Sequence, residues 1–236
     1  MSDQLKSVVF TAIVALVCSL LLTGAASGLK ERKLRNVIVD RQKNILMSVG
    51  LIDSDQAATI ARVEQLYRDN IRCFAMDADG RIVPGDSSES ALPVCFFVQD
   101  DQLAAYILPL NSRGLWGRIL GYVAMQNDGQ TIAGFSVYSH SETPGLGGEI
   151  EQPWFQDNFV GKRIVDETGQ FAAVGIVKGR VADVIAPERQ ANYVDGISGA
   201  TLTGNFLSGG LKETLLAYEA LSRQFRSGEV SLPADS

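Results

Sequence analysis

The sequence predicts an α+β protein with one N-terminal transmembrane helix and one following domain, built from an antiparallel sheet and flanking helices. Three observations predict this arrangement. An uncharged apolar run lies near the N-terminus, short strand-like runs separated by Asp-Gly and Pro-Gly turns occupy the middle, and apolar residues at helical spacing occupy the C-terminal part. Consecutive strands joined by short turns pair in an antiparallel manner. The 236 residues, 46% of them hydrophobic, suffice for one anchor and one sizeable core.

The first segment is long enough to cross a membrane. No charge occurs between Ser7 and Leu29, and a helix over these 23 residues would span about 34 Å. Small residues at 24–26 would also suit a signal-peptide cleavage site. Apart from the N-terminus, Lys6 is the only basic group before the charge-free run, whereas signal peptides begin with a basic region. The helical pattern also continues beyond the run. We therefore expect a retained anchor over residues 1–29.

Helical segments are expected on both sides of the sheet. Residues 30–50 form a helical stalk, and a second helix runs from Ile52 to Tyr67 with Asp53 as its N-cap and Gln56 three residues later. The remaining predicted elements are strands at Ile71–Met76, Val94–Val98, Ala104–Leu108, Ile119–Met125 and Ile132–Val137, a short helix over 149–160, further strand over 173–185, and a helix over Phe206–Phe225. One domain therefore covers residues 51–227, and a loose tail covers 228–236.

Charge and cysteine usage exclude several function classes. The net charge is −6, and the first 50 residues carry +4, so the remainder carries −10 and would repel nucleic acid. His140 is the only histidine, which excludes two-histidine metal sites, and no cysteine spacing suits zinc or an iron–sulfur cluster. Cys18 lies in the apolar segment. Cys73 and Cys95 are expected to be two buried thiols, and they would form a disulfide if the domain faced an oxidising compartment.

A run of small residues from Asp195 to Thr201, with the sequence DGISGAT, leads into the last helix. Small residues let the backbone turn sharply and approach a ligand, and the N–H groups at a helix N-terminus favour a phosphate. The same spacing also fits simple helix capping by Ser198, Thr201 or Thr203. An esterase-like elbow at Ser198 is disfavoured, because such elbows have their histidine after the serine and His140 precedes it.

A second motif, ETPGLGG at 142–148, follows a predicted strand and precedes a predicted helix. Such a loop can direct several N–H groups and the Thr143 hydroxyl at a flat polar ligand, but it also suits a plain tight turn. It is not a dinucleotide-binding fingerprint, because Glu149 breaks the glycine spacing.

Together the two motifs carry a family resemblance. DGISGAT resembles the flavinylation signature of FMN-binding domains, and ETPGLGG resembles their flavin-contacting loop. With the anchor, RQKNIL at 41–46 and GLWG at 114–117, nearly the whole chain resembles the C subunits of the sodium-translocating NADH:quinone oxidoreductases. The resemblance implies a subunit of a sodium-pumping enzyme that relays electrons through an FMN esterified to Thr201.

The resemblance also implies a set of cofactor-binding residues and no catalytic or metal-binding ones. A separate flavin transferase, using FAD and a divalent metal, would read the signal that leads to Thr201, which consists of Asp195, Ser198, Gly199 and Ala200. The residues expected near the isoalloxazine are Glu142, Thr143, Gly145, Leu146 and Gly147, with Trp116 and Lys162 as further candidates. Trp116 would otherwise be a core residue, and Lys162 a solvated charge.

Partners and location follow from the same resemblance. The chain is expected to be a single-pass protein of the bacterial inner membrane, in contact with lipid and with other membrane and cytoplasmic subunits, its domain on the periplasmic side. The four basic residues between positions 30 and 35 instead favour a cytoplasmic domain. Two alternatives share the motifs: the flavin subunit of an ion-pumping ferredoxin:NAD-type complex, and a periplasmic FMN-binding sensor.

Overall fold

A long N-terminal helix, α1 (Asp3–Ser48), begins the computed structural model, which describes residues 2–53, 58–83, 91–100 and 102–230. The chain divides into two compact units, residues 1–40 and 41–236. In the first unit the apolar side chains of α1 are exposed, and the helix is long and apolar enough to cross a membrane. The predicted anchor and stalk are thus parts of one continuous helix.

The second unit is organised around a six-stranded sheet in which all neighbouring strands are antiparallel, as predicted. The spatial order is β2-β1-β3-β4-β5-β6. The strands are β1 (Ile71–Met76), β2 (Ile82–Val83), β3 (Leu92–Gln99), β4 (Gln102–Arg113), β5 (Arg118–Gln126) and β6 (Ile132–Ser139). The hairpin of β4 and β5 is longer than predicted, because pairing continues to Arg113 and Arg118.

Two C-terminal helices, α5 (Thr201–Ala217) and α6 (Glu219–Ser227), supply apolar residues to the main core. The apolar periodicity predicted this region correctly, but as one helix. Tyr218 interrupts the helix, and its hydroxyl donates a hydrogen bond to the carbonyl of Pro93 at 2.6 Å. Further along, Phe225 stacks on Tyr106 of β4 with ring centroids 4.3 Å apart. Burial of a large apolar side chain such as Phe225 contributes about 1.5–3 kcal/mol to the stability of the fold.

The last turns of α1 pack on the opposite face of the sheet. Alternation along β5 turns Val123 toward the main core and Tyr122 toward the other face, where Arg41 donates a hydrogen bond to the Tyr122 hydroxyl at 2.7 Å. Burial raises the pKa of Tyr122 to about 12, although the Arg41 guanidinium opposes this shift. On β6, Ser136 donates to the carbonyl of Asn44 at 3.1 Å.

The helix expected from Ile52 to Tyr67 starts later than predicted. It is α2 (Ile60–Asn70), and the Thr59 side chain accepts a hydrogen bond from its first turn. The prediction that Asp53 caps this helix is therefore wrong, and Gln56 lies outside the described residues. The helix expected over 149–160 is divided into a 3-10 turn at 147–151, α3 (Pro153–Gln156) and a second 3-10 turn at 157–159. Pro153 lacks the N–H that would continue a helix across this point.

The strand predicted over 173–185 is also wrong for most of its length. Only β7 (Gly175–Ile176) is strand, and it pairs in parallel with β8 (Tyr193–Val194). Gly179, with φ +89°, lies in the turn that precedes α4 (Val181–Val184). At the C-terminus, Gly228 ends α6 in the left-handed conformation. Most of the tail predicted after it, residues 231–236, lies outside the described residues.

Cys73 and Cys95 are joined by a disulfide, so the expectation of two buried thiols is wrong. The register of β1 and β3 places the two residues directly opposite each other, with their Cα atoms 4.0 Å apart. Cys73 is exposed and Cys95 half-buried. Cys18 is free and exposed.

Candidate functional site

Both sequence motifs contribute to one cleft of about 220 Å³ in the second unit. Its walls come from the turn between β4 and β5, the loop after β6 and the N-terminus of α5. The lining residues are Leu115, Trp116, Glu142, Thr143, Leu146, Gly147, Gly199, Ala200, Thr201, Leu202 and Thr203. The motifs are also in direct contact, since a Cβ added to Gly199 would lie 2.8 Å from the Leu146 side chain.

The loop after β6 is a tight turn as well as a wall of the cleft. The Thr143 carbonyl accepts hydrogen bonds from the N–H groups of Leu146 and Gly148, at 3.1 and 2.9 Å. Gly145 takes φ +73°, which side chains other than glycine rarely allow. The turn thereby exposes Thr143 and Leu146 on the cleft.

The N-terminus of α5 has no side-chain cap. Ala200 occupies the cap position, and Thr201 is the exposed first residue of the helix. The alternative interpretation, helix capping by Ser198, Thr201 or Thr203, is therefore wrong. An uncapped helix N-terminus leaves N–H groups for an anion, and the helix dipole favours the negative charge.

Glu142 joins the three walls of the cleft. Its side chain is buried, one carboxylate oxygen accepting the Trp116 N–H at 3.1 Å and the other the Thr203 hydroxyl at 2.5 Å. A Cβ at Gly147 would lie 2.5 Å from the Thr203 Oγ1 and 2.8 Å from the Glu142 carboxylate. Glycine at 147 is thus what allows the loop and α5 to approach this closely.

His140 supports the same loop and offers no base to a nucleophile. Its Nδ1 accepts the backbone N–H of Glu142 at 3.1 Å, so in the neutral ring the proton lies on Nε2, which hydrogen-bonds to Glu151 at 3.0 Å. Both ring nitrogens are therefore occupied. The serine-hydrolase alternative at Ser198 loses the one histidine that could activate it.

Four of the predicted cofactor-binding residues do not line the cleft: Gly145, Lys162, Asp195 and Ser198. Lys162 donates to the carbonyl of Gln190 at 3.2 Å, and burial lowers the pKa of its ammonium while Asp195 opposes that shift. The Asp195 carboxylate accepts the Val181 N–H at 2.7 Å, at the start of α4. The other eight line the cleft, together with Leu115, Leu202 and Thr203, which were not predicted.

Thr203 was missed because its role depends on a residue 61 positions earlier. Thr203→Val should destabilise the protein by about 1–3 kcal/mol, since it leaves one oxygen of a buried carboxylate without its donor. Thermal unfolding of the full chain in detergent measures the effect. Thr203→Ser, which keeps the hydroxyl, is the matched control and should stay close to the native protein. Equal stability of the valine variant would show that this hydrogen bond contributes nothing.

The chemistry of the cleft suits flavin mononucleotide. Exposed apolar side chains of Leu115, Trp116, Leu146 and Leu202 offer surface for a planar ring system. The uncapped N-terminus of α5 offers N–H groups for a phosphate.

Comparisons with known proteins agree with this geometry. Residues 114–215, which include all three walls, match the FMN-binding domain family. The chain is 35% identical over 230 residues to the C subunit of the Na(+)-translocating NADH-quinone reductase of Yersinia pestis, covering 85% of this chain and 84% of that one. It is 35% identical over 222 residues to the protein of the same name from Neisseria meningitidis serogroup A, covering 83% of each.

Solved structures give the same result. The crystal structure of the C subunit of the Na(+)-translocating NADH-quinone reductase from Parabacteroides distasonis superposes with a TM-score of 0.70 at 31% identity, over 82% of this chain and 96% of that one. The crystal structure of Shewanella oneidensis NqrC, at 24% identity and a TM-score of 0.63, supports the fold alone.

Proposed function

Because the chain belongs to the family of C subunits of the Na(+)-translocating NADH-quinone reductases, and is an electron-transfer flavin subunit of that complex, we propose that a phosphoester joins its FMN to Thr201. The sequence identity over most of the chain favours this reductase over a ferredoxin:NAD-type complex and over a sensor. FMN is the cofactor that the matched domain binds.

One observation supports the attachment site above all others. Thr201 is exposed, lines the cleft and is the first residue of α5, whose N-terminus has no side-chain cap. A phosphoryl group on its hydroxyl would lie beside free N–H groups and the positive end of the helix dipole. The other two threonine hydroxyls of the cleft are less suitable, because Thr203 is buried against Glu142 and Thr143 lies on the opposite wall.

Different residues of the cleft would then hold different parts of the FMN. The first turn of α5 binds the phosphate, Trp116 and Leu146 cover the apolar ring system, and Thr143 offers a hydroxyl to a polar ring edge. FMN supplies the exchange of electrons between donors and acceptors elsewhere in the complex. A covalent link to a membrane-anchored chain keeps the flavin at high effective concentration beside its partner subunits.

We further propose that attachment is carried out by a separate flavin transferase that recognises residues 195–201. Ser198, Gly199 and Thr201 are exposed, so an enzyme can reach them. Asp195 would contribute indirectly. Its carboxylate binds the N–H of Val181 at the start of α4, and this contact would hold the backbone of residues 195–201 in place. The test of attachment is peptide mass mapping of the protein purified from its own membranes, which should locate FMN on the peptide that contains Thr201.

The domain is proposed to lie on the periplasmic side of the inner membrane, with α1 as the lipid-embedded anchor. The Cys73–Cys95 disulfide supports this side, because disulfides persist in oxidising compartments and are rare in the cytoplasm. The basic residues after the apolar run oppose it, but long domains cross membranes largely regardless of such charges.

Protease added to intact spheroplasts should therefore degrade the domain, since it would be exposed outside the membrane. Cys73 and Cys95 should resist an alkylating reagent until a reductant is added. A matched sample of lysed cells shows that the protease is active on both sides. Protection in spheroplasts, combined with free alkylation of both cysteines, would place the domain in the cytoplasm.

A further inference from the structure

Glu142 is a buried acid that has no cationic partner among the residues that the structure describes. Its residue is 5% exposed, and the two groups that bind its carboxylate, the Trp116 N–H and the Thr203 hydroxyl, are both neutral. Throughout the described part of the chain, no Lys, Arg or His side chain forms an ion pair with it. Buried acids are normally paired, so this arrangement leaves a charge whose field is not cancelled.

Two neutral donors and the N-terminal turn of α5 surround the Glu142 carboxylate. Each oxygen accepts one hydrogen bond, and an ionised carboxylate is an acceptor only. Thr203 is the third residue of α5, so the carboxylate also lies at the positive end of that helix. These contacts replace the hydration that the anion loses on burial.

We propose that Glu142 is a fixed anion in the wall of the cleft that lowers the reduction potential of the flavin held there. This inference rests on the proposed location of the FMN. Glu142 is a positioning residue as well, because the same carboxylate holds the β4–β5 turn and α5 together.

The direction of the effect follows from electrostatics. Uptake of two electrons and one proton, delivered by the preceding electron carrier and by water, adds one negative charge to the isoalloxazine. A fixed anion nearby disfavours that added charge. A unit charge at about 10 Å, with an effective dielectric constant of about 20, changes an equilibrium constant roughly tenfold.

The test compares Glu142→Gln with the native chain, both with covalently attached flavin, by spectroelectrochemical titration in detergent. Glutamine has nearly the same shape. Its oxygen can accept the Trp116 N–H and its amide can donate to the Thr203 oxygen, so the variant removes the charge and keeps the contacts. We expect the equilibrium constant for reduction to rise roughly tenfold, which is about 30 mV for a two-electron couple. Glu213→Gln makes the same change at an exposed position of α5 outside the cleft and should leave the potential unchanged.

A second variant distinguishes the effect of the charge from the effect of side-chain geometry. It also tests the proposal if the Glu142→Gln protein does not fold. Glu142→Asp keeps the charge on a shorter side chain, so its potential should stay near the native value. An unchanged potential in the glutamine variant, or an equal rise in the aspartate variant, would overturn the proposal. In-gel flavin fluorescence of the native chain is recorded first. Its absence would refute attachment itself, whereas attached flavin with an unresponsive potential would refute only the role of Glu142.

Discussion

Thr201→Ala is expected to abolish covalent flavin completely while the protein still folds. The substitution removes the exposed hydroxyl of the first residue of α5, which is the atom proposed to form the phosphoester. Because Thr201 is exposed and does not cap the helix, the free energy of unfolding should change by no more than about 0.5 kcal/mol. Fluorescence of the band after denaturing electrophoresis and the intact mass measure attachment, and thermal unfolding measures stability.

Thr201→Ser is the matched control, since it keeps a hydroxyl at the same position and should retain some covalent flavin. Thr203→Ser serves as a second control on the same helix, at a hydroxyl that is buried and already bonded. An alanine variant that still carried covalent flavin would reject Thr201 as the attachment site. A variant that lost flavin because it unfolded would be recognised by its thermal transition.

The sheet and the last helix could be predicted from the sequence because their signals are local. The strand-like run that forms β1 is visible in the sequence itself, and its bounds, Ile71 and Met76, match the prediction. The spacing of Leu207, Leu211 and Leu215 places one face of α5 in the core, and all three are buried. Periodicity did not predict the helix break at Tyr218, whose hydroxyl donates a hydrogen bond to Pro93 of β3, 125 positions away in the sequence.

Elements fixed by distant contacts were predicted poorly. The two residues of β7 form strand only because β8 supplies a parallel partner. The disulfide depends on the register that sets Cys73 opposite Cys95, and the sequence alone leaves that register open. In the cleft, both motifs were identified from local composition. The contact between Thr203 and Glu142 was not, because the two residues are 61 positions apart in the sequence.

Gly196→Ala is expected to be strongly destabilising and to impair flavin attachment. A Cβ at this position would lie 2.0 Å from the Val177 carbonyl oxygen and 3.2 Å from the Gly179 nitrogen. The backbone cannot easily yield, because Gly196 N–H donates to the Gly179 carbonyl at 2.8 Å and Val177 N–H donates to the Val194 carbonyl at 3.0 Å. Overpacking of this kind typically costs about 1–3 kcal/mol, and a clash with main-chain atoms should lie at the upper end.

The expected result is a lowered unfolding temperature of the full chain in detergent, together with a weaker fluorescent flavin band, because relief of the clash displaces the segment that ends at Thr201. Gly209→Ala is the matched control. A Cβ at Gly209 meets no atom within 4 Å, and alanine favours the α5 helix by about 1 kcal/mol, so this variant should be as stable as the native protein or more so, with full flavin attachment. If Gly196→Ala were as stable and as fully flavinylated as Gly209→Ala, the close packing of Gly196 against the backbone of Val177 and Gly179 would not be needed for flavin attachment.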